Sequence, residues 1–528
     1  MTRRTLSGAQ VRREELQSPD LLETADEPDP RFSIPASERR RRAEIGGGQL
    51  RSRTARGSIV NGTFIVGLNL LGLLKGVVAA AFLTTTDYGI WGILLFTVTG
   101  LLTLKSVGIS DKFIQQDDLD QERAFRRAFT NDLIFSGVLV FLLAIMVPLL
   151  TLVYGDSRIT APAFVLGLAI PALTLQAPIW VFYRRMQFVR QRVLLSIDPV
   201  LSFALTVVLA ASGFGYWSLV IGTVIGTWAA AAAAVLVSPY RLGLSFDRGS
   251  LRSYVAFSWP LLLVSLTAVV MAQAALLVGN LALGLAGVGA ITLAAQLSLY
   301  TAKLDAIVSQ TLYPALCAAK GRLDVLREAF LKSNRIALLM GIPFGIGIFL
   351  FTPDLISFGI GEKWRSAEGL IQVTGVIIAV NQLGFNWNAF YQARGHTRPV
   401  AVAALSILVA FSLLALPLLA TEGLTAYGLG LAASTLVLIG VRVRYLLRLF
   451  PGLPVFRHVL GAVAPTLIAC AAVAAARLGV DTRTIEVALL EVAVFVSVAG
   501  AATLVQHRSL MRELLGYLRG GRALRTAD

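Results

Sequence analysis

Lys303 sits near the middle of a long apolar stretch, where a charge is costly and ordinarily faces a cavity or a partner. Gln296, Tyr300, Lys303, Ile307 and Gln310 recur at helical spacing and share one face. Two amides, a phenol and an ammonium suit an anionic polar headgroup and do not suit lipid. A second stripe, Asn61, Asn69, Gly72 and Lys75, falls within an arc of about 120° on an earlier helix. The chemistry offered is binding by cations and amide donors. The alternative for each lysine is a carboxylate that ties two helices together. Asp305 lies about 200° round the helix from Lys303 and is not that partner. Lys105, close to a span end, is placed to snorkel to the interface.

Other polar residues carry two readings each. Asn381, Asn388 and Gln392 share one face of a later span, with Gln382 and Asn386 on another; they line a cavity or glue helices. Arg184 and Arg185 are plain inner-side charge, or a rim that captures phosphate at an inner mouth. Asp198 and Asp305 are the carboxylates near spans that could couple an ion. No phosphate-binding G-x-x-x-x-G-K-[ST] loop occurs, so nothing points to ATP hydrolysis. The two cysteines, Cys317 and Cys470, and three scattered histidines exclude a disulfide framework and a Cys/His metal cluster. Neither a metal nor a cofactor is expected.

The elements that must carry these residues are transmembrane helices. The 528-residue chain is 56% hydrophobic with a mean hydropathy of +0.72, and 15% of it is charged, against roughly 25% in a soluble domain. Apolar runs of spanning length cover 59–82, 89–108, 130–154, 160–180, 193–213, 217–238, 255–280, 287–315, 333–352, 367–390, 400–420, 424–447, 456–476 and 483–505, fourteen in all. Backbone exposed to hydrocarbon has to satisfy itself, so each is a helix. With the N-terminus in the cytosol, 39 Lys and Arg fall inside, 5 outside and 3 within spans. The net charge of +16 therefore reads as membrane orientation, with no nucleic acid partner, and both termini are expected in the cytosol. Residues 1–57 form a basic, polar, disordered cytosolic tail, and 506–528 a short amphipathic helix on the inner membrane surface.

Sliding the chain along itself matches Ala128-Phe129 to Ala329-Phe330, Phe182-Tyr183-Arg184 to Phe390-Tyr391-Gln392, and Tyr216-Trp217-Ser218-Leu219 to Ala426-Tyr427-Gly428-Leu429, at offsets of 201, 208 and 210. The expected fold is all-α transmembrane: two parallel-repeat six-helix lobes, 58–238 and 255–447, around a central cavity, with two further helices at 456–505. A seam between such lobes can open to one side and then the other, which suits transport. Gly222 and Gly226 mark close helix packing.

Several stretches resemble the bacterial oligosaccharide flippases of polysaccharide export, in the superfamily that also holds lipid-linked peptidoglycan precursor flippases and multidrug antiporters. They are DYGIWGILLFTVTGLLTLKSVGISDKFIQQDDL at 87–119, YRRMQF at 183–188, GFGYWSLVIG at 213–222, YPAL at 313–316, GEKWRSAEGL at 361–370 and YQARGHTR at 391–398. The resemblance implies a lipid-linked oligosaccharide on polyprenyl pyrophosphate, moved from the inner to the outer leaflet of the bacterial cell membrane for exopolysaccharide or other cell-surface polysaccharide. Membrane lipids, a polysaccharide polymerase and glycosyltransferases are the partners it implies. It also implies a cationic cavity, a role Lys75 and Lys303 would fill. The chain departs from the pattern at Gln273, where relatives often carry an aspartate, which puts ion coupling there in doubt.

Three rivals stand beside the flippase. A drug or cation antiporter of the same fold would want a buried carboxylate, Asp198 or Asp305. A membrane polymerase or ligase would want a sizeable outer loop, and no outer loop exceeds about fifteen residues. A scaffold would use the N-terminal arm to recruit partners.

Overall fold

The computed structural model describes residues 67–105, 120–185, 187–318, 321–396, 398–478 and 482–510, with 64, 109, 113 and 512; the side chains of 104–105, 250, 253–265, 300–311, 313–315, 317–318 and 456 fall outside that description. The expected N-terminal tail, Asn61 and most of the C-terminal amphipathic helix therefore lie outside the described residues. Among the described residues every regular element is helical, and none is a strand.

The helices follow the apolar runs. The first is α1, Gly67–Phe82; then α2, Thr85–Lys105, and α3, Gln121–Tyr154. Asp120 caps α3 by accepting the Arg123 N–H at 3.0 Å, and Gly155 ends it in the left-handed region at φ 67°. α4 comes in three pieces, Thr160–Gly167, Ala169–Leu175 and Pro178–Arg184. α5 is Phe188–Ala211 and α6 is Trp217–Leu236. The stretch Arg248–Ala318 turns at Gly284, φ 67°, into α7 (248–283) and α8 (285–318). α9, Leu323–Asp354, runs on into a π-helical turn, Leu355–Ile360, and a tight turn, Glu362–Ala367. α10 is split into Glu368–Asn381 and Trp387–Ala393, with left-handed residues at Gly384 and Asn386. α11 holds Arg398–Ala410 and Leu416–Glu422 around a π-helical turn. α12, α13 and α14 are Leu424–Leu449, Val455–Leu478 and Ile485–Gln506.

Ten stretches among the described residues are long and apolar enough to cross a membrane. The fourteen expected crossings exceed that number by four: α1 is described only from Gly67, α2 is not among the ten, α10 is split, and α7 and α8 contribute one continuous stretch, Leu266–Leu299. Many large apolar side chains stay exposed, Leu152 at 79% and Leu281 at 73% among them, as helices facing lipid require.

We call the face that bears the 361–367 loop the outer one, following the charge count. Apolar packing differs between the two faces. Toward the outer face one core joins residues of the first half, such as Ala80, Tyr88 and Ile93, to residues of the second, such as Val288, Ile360 and Trp364. Toward the inner face the cores are separate among the described residues. One holds Phe113, Phe125, Phe129 and Val181 from the first half, another Phe330, Phe390, Tyr391 and Phe450 from the second.

Helices 13 and 14 are tied to α9 by charge. Arg483 grips Asp354 through two bonds of 2.6 and 2.5 Å, and Arg477 donates to Glu491 at 3.0 Å. Both carboxylates are buried, at 8% and 3% exposure, so the arginines offset their desolvation.

Candidate functional site

A cavity of about 410 Å³ lies where α1, α2 and α6 of the first half meet α7 and α8 of the second. Its wall includes Lys75 and Gly76 of α1, Thr99 of α2, Thr223 of α6, Ala272 of α7 and Gln296 of α8. On α2 the lining runs from Trp91 to Thr103, from near the outer end toward the inner one.

Lys75 is the described cation on this wall. Its Nζ donates to Ser202 Oγ at 2.5 Å and to Thr223 Oγ1 at 3.2 Å. Asp198, one turn before Ser202 on α5, attracts the ammonium without a direct contact and accepts the Thr227 hydroxyl at 3.2 Å. The close approach of α5 and α6 depends on Gly222 and Gly226. A Cβ at Gly222 would sit 2.5 Å from Thr206 Oγ1, and one at Gly226 2.6 Å from Asp198 Oδ1.

Gln296 faces Lys75's helix from the other half. Its Oε1 lies 3.2 Å from the Tyr88 hydroxyl, which also reaches the Gly76 carbonyl at 3.2 Å. Its buried Nε2 has no hydrogen-bond partner among the described residues. The cavity wall is mostly apolar, with Lys75, Thr99, Thr103, Thr223 and Gln296 as its polar members. Gln273 of α7, where the chain departs from the family pattern, donates to Thr97 of α2 at 3.3 Å, a neutral bond between the two halves.

The 361–367 loop packs against α1 and α2 at the outer end. Trp364 is fully buried, and its indole N–H donates to the Ala80 carbonyl at 2.9 Å. Its ring meets Tyr88 edge to face, centroids 5.3 Å apart. Lys363 donates to the Ala81 carbonyl at 2.7 Å. Burial lowers the Lys363 ammonium from its ordinary range, against the opposing pull of Asp87. Beside the loop, α2 and α8 touch backbone to backbone. A Cβ at Gly89 would lie 2.0 Å from the Leu285 carbonyl oxygen, and one at Gly289 2.1 Å from that of Thr85.

The remaining expected site residues divide into three groups. Lys303, Tyr300, Asp305 and Gln310 belong to α8, but their side chains lie outside the described residues. Asn69 is half-buried on α1 and does not line the cavity. Asn381, Asn388 and Gln392 are exposed and line no part of it. The single face expected for them is broken, because α10 is interrupted between Asn381 and Trp387. Asn381 instead accepts Arg442 at 3.0 Å through its side chain. Arg184 donates to the Phe113 carbonyl at 2.9 Å and stacks over that ring; Arg185 donates to the Tyr240 hydroxyl at 3.0 Å and stacks over its ring. Both arginines thus have protein partners at the inner face.

Sequence reasoning missed Tyr88, Thr223, Ser202 and Trp364. Tyr88 and Trp364 lay within the stretches that carry the family likeness; Ser202 and Thr223 gave no signal, being hydroxyls on apolar helices.

No curated protein matches the chain. Among solved structures it is similar to the lipid II flippase MurJ in an inward closed conformation, with TM-score 0.69 and 14% identity over 86% of this chain and 100% of that one. It is also similar to a multidrug resistance MATE family transporter of the MOP superfamily. The inward-facing conformation gives TM-score 0.60 and 17% identity over 74% of this chain and 98% of that one. The outward-facing conformation gives TM-score 0.53 and 16% identity over 75% and 96%. At these identities the likeness establishes the fold. Residues 78–368 match the family model described as polysaccharide biosynthesis protein. That match covers more than half of the chain, which is accordingly a multi-pass membrane protein belonging to the polysaccharide biosynthesis protein family.

Proposed function

We propose that the chain moves a polyprenyl-pyrophosphate-linked oligosaccharide from the inner to the outer leaflet of the bacterial cell membrane. It works by alternating access between lobes 58–238 and 255–447, with both termini in the cytosol. The observation that carries the reading is the seam cavity, with Lys75 on one lobe and the Gln296 amide on the other, and the 361–367 loop bonded to α1 on the outer side. Among the described residues one apolar core joins the lobes toward the outer face while separate cores lie toward the inner face, which supports an inward-facing reading.

The cargo chemistry follows from charge. A pyrophosphate carries about two negative charges, and leaving them uncompensated in hydrocarbon costs many kcal/mol. An ammonium and an amide donor offset that cost at the bilayer midplane while the polyprenyl tail stays in lipid. Lys303 stands seven residues beyond Gln296 on α8, two turns along the same face, and would add a second cation. Arg184 and Arg185, already bonded at the inner face, would add positive potential at the mouth.

Purified protein in liposomes should carry a fluorescent polyprenyl-pyrophosphate sugar across the bilayer. Lys75→Ala should cut that rate at least tenfold while expression and melting temperature hold. Absence of transport by the wild-type chain, with efflux of cationic drugs instead, would overturn this reading in favour of the antiporter.

A further inference from the structure

Lys75 meets the cavity and the interior of the first lobe at once, and the two compete for the same ammonium. An ammonium has three N–H donors. Two go to Ser202 and Thr223, on α5 and α6, which leaves one for the cavity. The two hydroxyls are held in place by the close contact of α5 with α6 at Gly222 and Gly226. Ser202 is buried, at 3% exposure, and Gln176 of α4 braces α6 from behind by donating to the Thr227 carbonyl at 3.1 Å. Asp198 supplies the charge behind the hydroxyls and is itself engaged by Thr227. The carboxylate attracts Lys75 without pairing with it directly.

We infer that Ser202 and Thr223, backed by Asp198, form a dock that positions the Lys75 ammonium at the cavity wall and competes with the cargo's phosphates for it. The inference rests on the anionic-lipid reading of the cavity. A direct ion pair in a dry interior would hold Lys75 too firmly for a phosphate to draw it away, and a free lysine would hold the phosphate too firmly to let it go. Neutral acceptors one step removed from a carboxylate give an intermediate grip. A pyrophosphate that takes more than one N–H pulls Lys75 off the dock, and the hydroxyls take the ammonium back as the cargo leaves. Ser202, Thr223 and Asp198 are positioning residues acting through Lys75. They set release against affinity, and the cargo need not touch them.

The test uses the full chain in liposomes, with two readouts. In the absence of cargo, Lys75 is labelled with a small amine-acylating reagent and followed by mass spectrometry. Ser202→Ala combined with Thr223→Val should raise the labelling rate about 30-fold, the effect of two lost hydrogen bonds, and Ser202→Thr should leave it near wild type. Asp198→Asn keeps the side-chain shape and the Thr227 contact, and should raise labelling by a smaller factor; it serves should the double variant fail to fold. An unchanged rate in folded variants overturns the dock. The second readout is transport of a fluorescent short-chain polyprenyl-pyrophosphate sugar. The double variant should lower both the half-saturating concentration and the turnover, again by about 30-fold. A merely structural role would lower the active fraction and leave half-saturation alone, and that result also overturns the dock. The two readings fail separately. Faster labelling with no transport by the wild type leaves the dock standing and sinks the flippase; transport with unchanged labelling does the reverse.

Discussion

Replacing Trp364 by alanine should let water-soluble reagents into the cavity from the outer side. Truncating a buried tryptophan costs ~3–5 kcal/mol in all, but only contacts made across the seam bias the sealed state against the open one. Trp364 makes two of these, the indole N–H to the Ala80 carbonyl and the edge-to-face pair with Tyr88. At ~1 kcal/mol for each, their loss shifts the equilibrium by ~2 kcal/mol, or about 30-fold. Thr99 is exposed on the cavity wall and offers a reporter. With Cys317 and Cys470 replaced by alanine, Thr99→Cys should react with an impermeant maleimide added outside about 30-fold faster in Trp364→Ala than in the parent. Trp364→Phe keeps a ring against Tyr88 and loses the N–H, so about fivefold is expected there. Melting temperature and gel-filtration profile establish that each variant is folded. An unchanged rate in folded Trp364→Ala would refute the loop as a seal.

Other perturbations probe the same construction. Gly289→Ala places a Cβ 2.1 Å from the Thr85 carbonyl oxygen and should cost ~1–3 kcal/mol of overpacking, seen as faster outer-side labelling of Thr99→Cys. Arg483→Ala strips the bidentate partner from buried Asp354, leaving Arg477 as the nearest cation at 3.7 Å. A loss of ~3 kcal/mol and a lower thermal midpoint are expected, with Arg483→Lys recovering only part, since lysine cannot form the fork; an unshifted midpoint would show the cluster to be idle. Acidity should act on the seal through Lys363, whose pKa burial holds below the ordinary 10.5 while the loop is docked. The docked state then binds fewer protons than the released one, so raising pH through the alkaline range below 10.5 favours docking. Distances between spin labels at Thr84 and Glu362 should shorten on average over that range, and Lys363→Met should abolish the trend.

Much of the helical scaffold was legible because each span is a long apolar run, and hydrocarbon leaves the backbone no alternative to a helix. Lys75 and Gln296 were legible for the same reason: a polar residue in such a run has to face something polar. Gly222 and Gly226 read correctly as close packing. The amide stripe of α10 misled, because spacing predicts a shared face only where the helix continues, and left-handed Gly384 and Asn386 interrupt it. The seal was illegible in principle. Trp364 and Ala80 are 284 positions apart, and the acceptor is a backbone carbonyl, which leaves no mark in residue type. Ser202 and Thr223 were hidden likewise, since a hydroxyl in an apolar helix ordinarily bonds its own preceding turn.

The bare contact of α2 on α8 at Gly89 and Gly289 bears on how abruptly the two halves can part. Where side chains interdigitate, surfaces can slide and keep part of their attraction. Two backbones with nothing between them cannot, because dispersion weakens by a quarter to a half over a gap of ~0.5–1 Å. A slight hinge movement there forfeits the whole patch together, and no rotamers are freed to soften the loss. The contact behaves as a snap fastener, holding fully or hardly at all, so a partly parted seam that leaks water and ions from both sides is disfavoured.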